Sequence, residues 1–168
     1  MTLPADNLTE RDKGRLQGLI EGEGSLHARI FRRDLALPRE EREYRQNNAR
    51  PAFSFRMYDL EPVIFVAKAF QIRTWYVKPY PSVAEWELEK VLEIAKWIIK
   101  NCSPHTRIYR QAKLILEIFS PQAPSIPLTP KEAKELDKIH GEKRLEKLRE
   151  IAKRKGIISP YKPAHSIT

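Results

Sequence analysis

Apolar residues recur at helical spacing from residue 8 to 22, where Leu16, Leu19 and Ile20 form one stripe. Thr9 and Asp12, three apart, resemble a capping box with aspartate in place of glutamate. The period then changes to two. Leu26, Ala28 and Ile30 alternate with Ser25, His27, Arg29, Phe31 and, further out, Arg33, which predicts a strand over 25–31 with an apolar and a basic face. A second strand over 50–58 repeats the logic, with Phe53 and Phe55 inward and Arg50, Ala52, Ser54 and Arg56 outward. The densely charged residues 34–49 between them read as a long hairpin tip or as a strand running out of the core. A helix over 60–70 follows, then strands over 73–80 and 82–88 around a turn at Pro79 and Pro81. Next come an amphipathic helix over 89–100, a short segment at 105–110 and a helix over 111–119. Pro121, Pro124, Pro127 and Pro130 mark a linker. Thr129 then caps a helix from 131 to about 155, with Gly141 as its weak point, and 156–168 read as an irregular tail. The predicted class is α+β. Its order is α-ββ-α-ββ-α over a core of 1–120, and a proline-rich linker and basic helical extension over 121–168 pack on or beside that core.

Composition narrows the function. The 168 residues suit one compact domain, and 41% hydrophobic with 32% charged residues can build a core. Lys and Arg number 31 against 22 Asp and Glu, a net charge of +9. That balance suits a polyanionic partner, above all nucleic acid; a basic soluble protein without one is the plain alternative. No apolar run approaches the roughly 18 residues of a membrane span, and the first residues lack the order of a secretory signal. Cys102 is alone, which excludes an internal disulfide and a cysteine zinc cluster. An intracellular, reducing setting without membrane contact is expected. Few Met and Cys beside 13 Pro hint at adaptation to heat. His105, His140 and His165 share no metal-ligand spacing. No glycine-rich phosphate loop or nucleophile motif occurs, so no small-molecule cofactor is expected. Trp75, Trp86 and Trp97 read as core anchors rather than stacking platforms, and Tyr44 at the tip fits either role.

The glycines of the first helix need a reason. Gly14, Gly18 and Gly22 stand four apart, and each costs a helix roughly 1 kcal/mol relative to alanine. One bare face lets another backbone approach closely. The bland alternative, that Gly22 and Gly24 end the helix, leaves Gly14 and Gly18 unexplained. Across 16–24 the chain reads Leu16, Gln17, Gly18, Leu19, Ile20, Glu21, Gly22, Glu23, Gly24, followed by Ser25. This resembles the LAGLIDADG motif of homing endonucleases, in the variant that ends Gly-acid-Gly-Ser. About 110 residues share that family's α-ββ-α-ββ-α order, in which the sheet forms a saddle over DNA.

The resemblance implies a great deal. The chain would be a homodimer packed through Gly14, Gly18, Leu19 and Gly22, because it holds one motif where two are needed. Glu23 occupies the position of the metal-binding acid and Gly22 that of a carbonyl ligand, so Mg²⁺ is the implied cofactor, with Mn²⁺ or Ca²⁺ able to take the same sites. Glu21 would tether the helix end. The family has a polar residue, often Gln, near the end of the second strand; Met57 stands there, with Arg56 and Asp59 as substitutes. Of the basic residues near the helix after the fourth strand, Arg107 and Arg110 are preferred over Lys113 as catalytic. The implied activity is metal-dependent hydrolysis of a long, pseudo-palindromic duplex, leaving 3′ overhangs and promoting intron mobility. An intein is disfavoured because no splicing-domain sequence surrounds the motif. The rivals are a maturase-like RNA-binding splicing factor and a non-catalytic DNA-binding protein on the same fold.

The outward strand residues suit double-stranded DNA. Arg29, Arg33, Arg50 and Arg56 can bond guanine bidentately and Asn48 can pair with adenine. His27, Ser54, Tyr76, Lys78 and Tyr80 complete the candidate DNA-binding set.

Overall fold

A computed structural model describes residues 2–31, 47–73 and 75–157. Arg33, Tyr44, the charged tip and His165 lie outside the described residues. A 3-10 turn at Pro4–Asn7 leads into helix α1, Glu10–Glu23, whose N-cap Thr9 accepts a hydrogen bond from the Asp12 N–H. Strand β1, Gly24–Phe31, follows with no loop. Only glycine fits that junction, since a Cβ on Gly24 would lie 2.8 Å from the Ile20 carbonyl oxygen.

Strand β2, Asn47–Arg56, helix α2, Leu60–Ala69, and the short strands β3, Trp75–Tyr76, and β4, Ser82–Glu85, come next. Helices α3, Leu88–Asn101, and α4, Arg107–Ile118, complete the first 120 residues. The expected order of helices and strand pairs is therefore present. The sheet is antiparallel, in the order β1-β2-β4-β3. Its apolar face carries Leu26, Phe53, Phe55 and Val83, all buried. Phe53 meets Phe70 edge-on, and Phe70 meets Trp97.

Four expectations need correction. The strand predicted over 73–80 is two residues long, because Pro79 and Pro81 offer no N–H to a ladder. Trp75 and Trp86 are 47% and 46% exposed; of the three tryptophans only Trp97 is a core anchor. The helix expected at 111 begins at Arg107, capped by Thr106, whose side chain accepts from the Tyr109 N–H. The proline-spaced linker contains a strand, β5, Ile126–Leu128, which pairs with Asn47–Ala49 of β2. Pro51 shows how β2 accommodates its own proline. It faces Ala28 of β1, at a point on β2 between the pairings to β5 and to β4, where no N–H is required.

The basic extension forms two helices, α5, Pro130–Asp137, and α6, Gly141–Arg154; the break falls just before Gly141, which adopts φ +62. Leu128, Ala133, Leu136, Leu145, Leu148 and Ile151 join the same hydrophobic core as the sheet. A reciprocal cap starts α5: Thr129 Oγ1 accepts from the Glu132 N–H at 3.1 Å, and Glu132 Oε1 accepts from the Thr129 N–H at 2.9 Å. Lys155 Nζ donates to Glu132 at 2.6 Å and to the Pro127 carbonyl at 2.7 Å, tying α6 to β5. Burial pushes the Glu132 carboxyl up, but the hydrogen bonds from Lys155 and Thr129 outweigh it and hold it below the ordinary value of 4.5. Glu132→Ala should therefore cost about 1 kcal/mol at pH 7. A depressed carboxyl stabilises above its unfolded-state value and ceases to as pH falls through the folded-state one. The gap between wild type and variant in urea unfolding should thus close in acid.

Candidate nucleic-acid interface

Period-two alternation sets one face of the sheet outward. Register places Phe31 opposite Asn48, Arg29 opposite Arg50, His27 opposite Ala52 and Ser25 opposite Ser54, while Arg56 lies opposite Ser82, which in turn faces Tyr76. The described candidate readers on strands thus share one surface. Ala52, expected outward, is nonetheless covered. His27 is half-buried, and burial together with Arg144 and Arg29 pushes its imidazole below the usual value, which keeps it neutral near pH 7. Lys78 and Tyr80 lie in the turn after β3 and are exposed.

Aromatic rings support the arginines, among them Phe31, which the alternation places outward, and Trp86, which it does not single out. The Arg29 guanidinium lies 5.1 Å from the Phe31 ring and 4.9 Å from the Trp86 ring. Arg50 lies 5.1 Å from Phe31, and Arg56 lies 5.7 Å from Tyr80. Tyr58, 82% exposed, meets Tyr80 edge-on at 5.1 Å. The available signal was position: Trp86 continues the outward parity of Ser82 and Ala84, and Tyr58 follows the strand end.

The motif helix ends beside this face. Glu23 is exposed and lines a shallow cavity of about 400 Å³ with Arg56, Met57, Tyr58 and Tyr80. Three bonds fix the junction behind it. Glu21 Oε2 accepts from the Ser103 N–H at 2.8 Å, pinning the end of α1 to the turn before α4. Arg107 Nη2 donates to the Gly24 carbonyl at 3.0 Å, and Gln111 Oε1 accepts from the Leu26 N–H at 3.0 Å. With Arg144 Nη1 on the Ala28 carbonyl at 3.0 Å, side chains of α4 and α6 satisfy the free edge of β1. Arg110 points elsewhere: its Nε bonds Glu142 at 2.8 Å and its Nη1 the His105 carbonyl at 3.1 Å. Cys102, buried near Glu21, has its thiol pushed up to about 12 and is chemically inert.

Gly14, Gly18 and Gly22 are exposed, and a Cβ on any of them would meet nothing within 4 Å. Leu19 is half-buried against the core. Among the described residues no three His, Cys, Asp or Glu side chains cluster as a metal site. With Glu21 held by Ser103, Glu23 is the one exposed carboxylate of α1's last turn, so the donor set fits a hard cation when a second chain supplies another.

No known family's model matches the chain, and no curated protein matches it. Solved structures do resemble it. An archaeal intron-encoded homing endonuclease, I-Vdi141I, complexed with DNA, is 19% identical over 92% of this chain and 91% of its own, with a TM-score of 0.45. The homing endonuclease I-TnaI is 13% identical over 86% and 99%, with a TM-score of 0.49. The group I intron-encoded homing endonuclease I-CeuI, complexed with DNA, is 15% identical over 65% of this chain and 56% of its own, with a TM-score of 0.48. The chain thus spans little more than half of I-CeuI. Among the described residues no helix is long and apolar enough to cross a membrane.

Proposed function

We propose that the chain is a LAGLIDADG homing endonuclease that acts as a homodimer and cuts both strands of a long, pseudo-palindromic duplex. The observation that carries this is the placement of Glu23. A glycine-striped helix delivers one exposed carboxylate to the edge of a sheet face lined with arginines and aromatic rings. A carboxylate at a helix C-terminus is electrostatically unfavourable, and a cation offsets that cost.

In this reading Glu23 and the Gly22 carbonyl, with their copies from a second chain, hold Mg²⁺, or Mn²⁺ or Ca²⁺ in its place. The ion, when bound, supplies Lewis-acid stabilisation of the phosphodiester and a more acidic water. Arg107 braces the Glu23 end through the Gly24 carbonyl and keeps N–H groups free for phosphate charge. Arg110, engaged with Glu142, serves mainly to hold α4 against α6. Arg56, exposed beside Glu23, faces the scissile region; Met57 cannot order a water, so that task passes to Arg56 or Asp59. The strand readers engage the major groove. Cleavage would leave 3′ overhangs and promote intron mobility.

The exposed rings of Tyr58 and Trp86 favour a second reading, a splicing factor that stacks unpaired RNA bases. One experiment separates the two: incubate the full chain with a plasmid library of random inserts and Mg²⁺, and measure its affinity for single-stranded RNA in parallel. Linear plasmid with inserts that converge on one site supports the nuclease. RNA binding tighter than duplex binding, with no linear product, supports the alternative.

A further inference from the structure

On the outward face, Arg29 and Arg50 stand directly opposite each other across β1 and β2. Facing like charges are destabilising in a sheet. Among the described residues no carboxylate pairs with either. The pair persists because aromatic rings hold it. Phe31 lies under both guanidiniums at 5.1 Å, and Trp86 closes on Arg29 at 4.9 Å. Arg50 Nε also donates to Asn48 Oδ1 at 3.1 Å. That bond occupies the Nε and leaves the two terminal nitrogens as a fork.

We propose that Arg29 and Arg50 form a paired guanine reader, so that each half of the duplex target carries two guanines on adjacent or next-adjacent base pairs. The inference rests on the duplex-binding reading above. Three features support a paired base reader here. A free fork matches the O6 and N7 acceptors of guanine in the major groove. Ring-held side chains lose little rotamer freedom on binding, a property that base discrimination rewards and a phosphate contact does not need. Facing Cβ atoms in an antiparallel pair lie about 4.5–5.5 Å apart, between one and two base-pair rises of about 3.4 Å. Arg56, on Tyr80 beside Glu23, sits at the other end of the face and is not part of the pair.

The test is selection of bound duplexes from a randomised library by the full chain, without added divalent ions. The expected consensus shows two guanine columns close together in each half-site. Arg29→Lys and Arg50→Lys keep the charge but lose the fork. Each should erase one column and weaken binding to the wild-type consensus about tenfold, with little change in salt dependence. Trp86→Leu should blur only the column read by Arg29. A consensus without paired guanines, or lysine variants that keep both columns, overturns the guanine reader while leaving duplex binding intact. Failure to bind any duplex removes the proposed function together with it.

Discussion

Glu23→Gln should cut a cognate duplex at least about a thousandfold more slowly while binding it as tightly as wild type. The substitution changes one oxygen for nitrogen on an exposed side chain, so no packing is lost. Its charge sits at the C-terminal end of α1, where removing a carboxylate relieves about 0.3–1 kcal/mol of unfavourable dipole interaction. The melting temperature should therefore hold or rise slightly. Plasmid linearisation, gel shift and thermal melting on one preparation separate the three effects. Cutting at the wild-type rate would remove Glu23 from the chemistry. A fall in binding equal to the fall in cutting would make it a duplex contact instead. Glu21→Gln behaves differently on the same logic. Its carboxylate accepts from the Ser103 N–H, and an amide oxygen keeps that bond without the charge, so the exchange should weaken the α1–α4 junction and lower the melting temperature slightly before it alters the rate.

Parts of this site were legible because they depend on local rules. The Thr9 cap and the period of two in β1 and β2 each follow from a few neighbouring residues, and together they place Glu23 and the outward arginines; Gly24 reads only as a helix end, and its close approach to Ile20 is visible only in the fold. Other parts were hidden for physical reasons. β3 and β4 are short and flanked by prolines, so alternation over 73–88 says little, and hydrophobicity alone points both Trp75 and Trp86 inward. β5 carries three residues, Ile126, Pro127 and Leu128, too few to show a period. Its identity comes from Asn47–Ala49 across the ladder, 77 to 81 residues away in sequence. The cap at Thr106 was readable, yet the charged, aromatic run behind it hid the helical stripe of Ile108, Ala112 and Ile115. The edge bonds of β1 to Arg107, Gln111 and Arg144 join elements that no local pattern connects.

Whether α1 meets its own copy can be decided at Gly18. In a single chain a Cβ there has open space around it, and leucine is a better helix former than glycine by about 0.8 kcal/mol. Gly18→Leu should therefore fold at least as stably as wild type if α1 faces solvent. If two α1 helices pack backbone to backbone, the added side chains force them apart, and association should weaken at least a hundredfold, about 2.7 kcal/mol. Light scattering across a dilution series reads association, and urea unfolding at the lowest concentration reads the fold alone. Dimer lost, monomer stability kept and double-strand cutting abolished is the outcome expected of a paired site with one Glu23 from each chain. An unchanged dimer mass would move the interface off this helix. Gly24→Ala supplies the contrast. Its Cβ would lie 2.8 Å from the Ile20 carbonyl of the same chain, so it should destabilise the monomer itself. Two glycines six residues apart are thus expected to respond in opposite ways, Gly24 because its own chain crowds it and Gly18 because only the proposed second chain would.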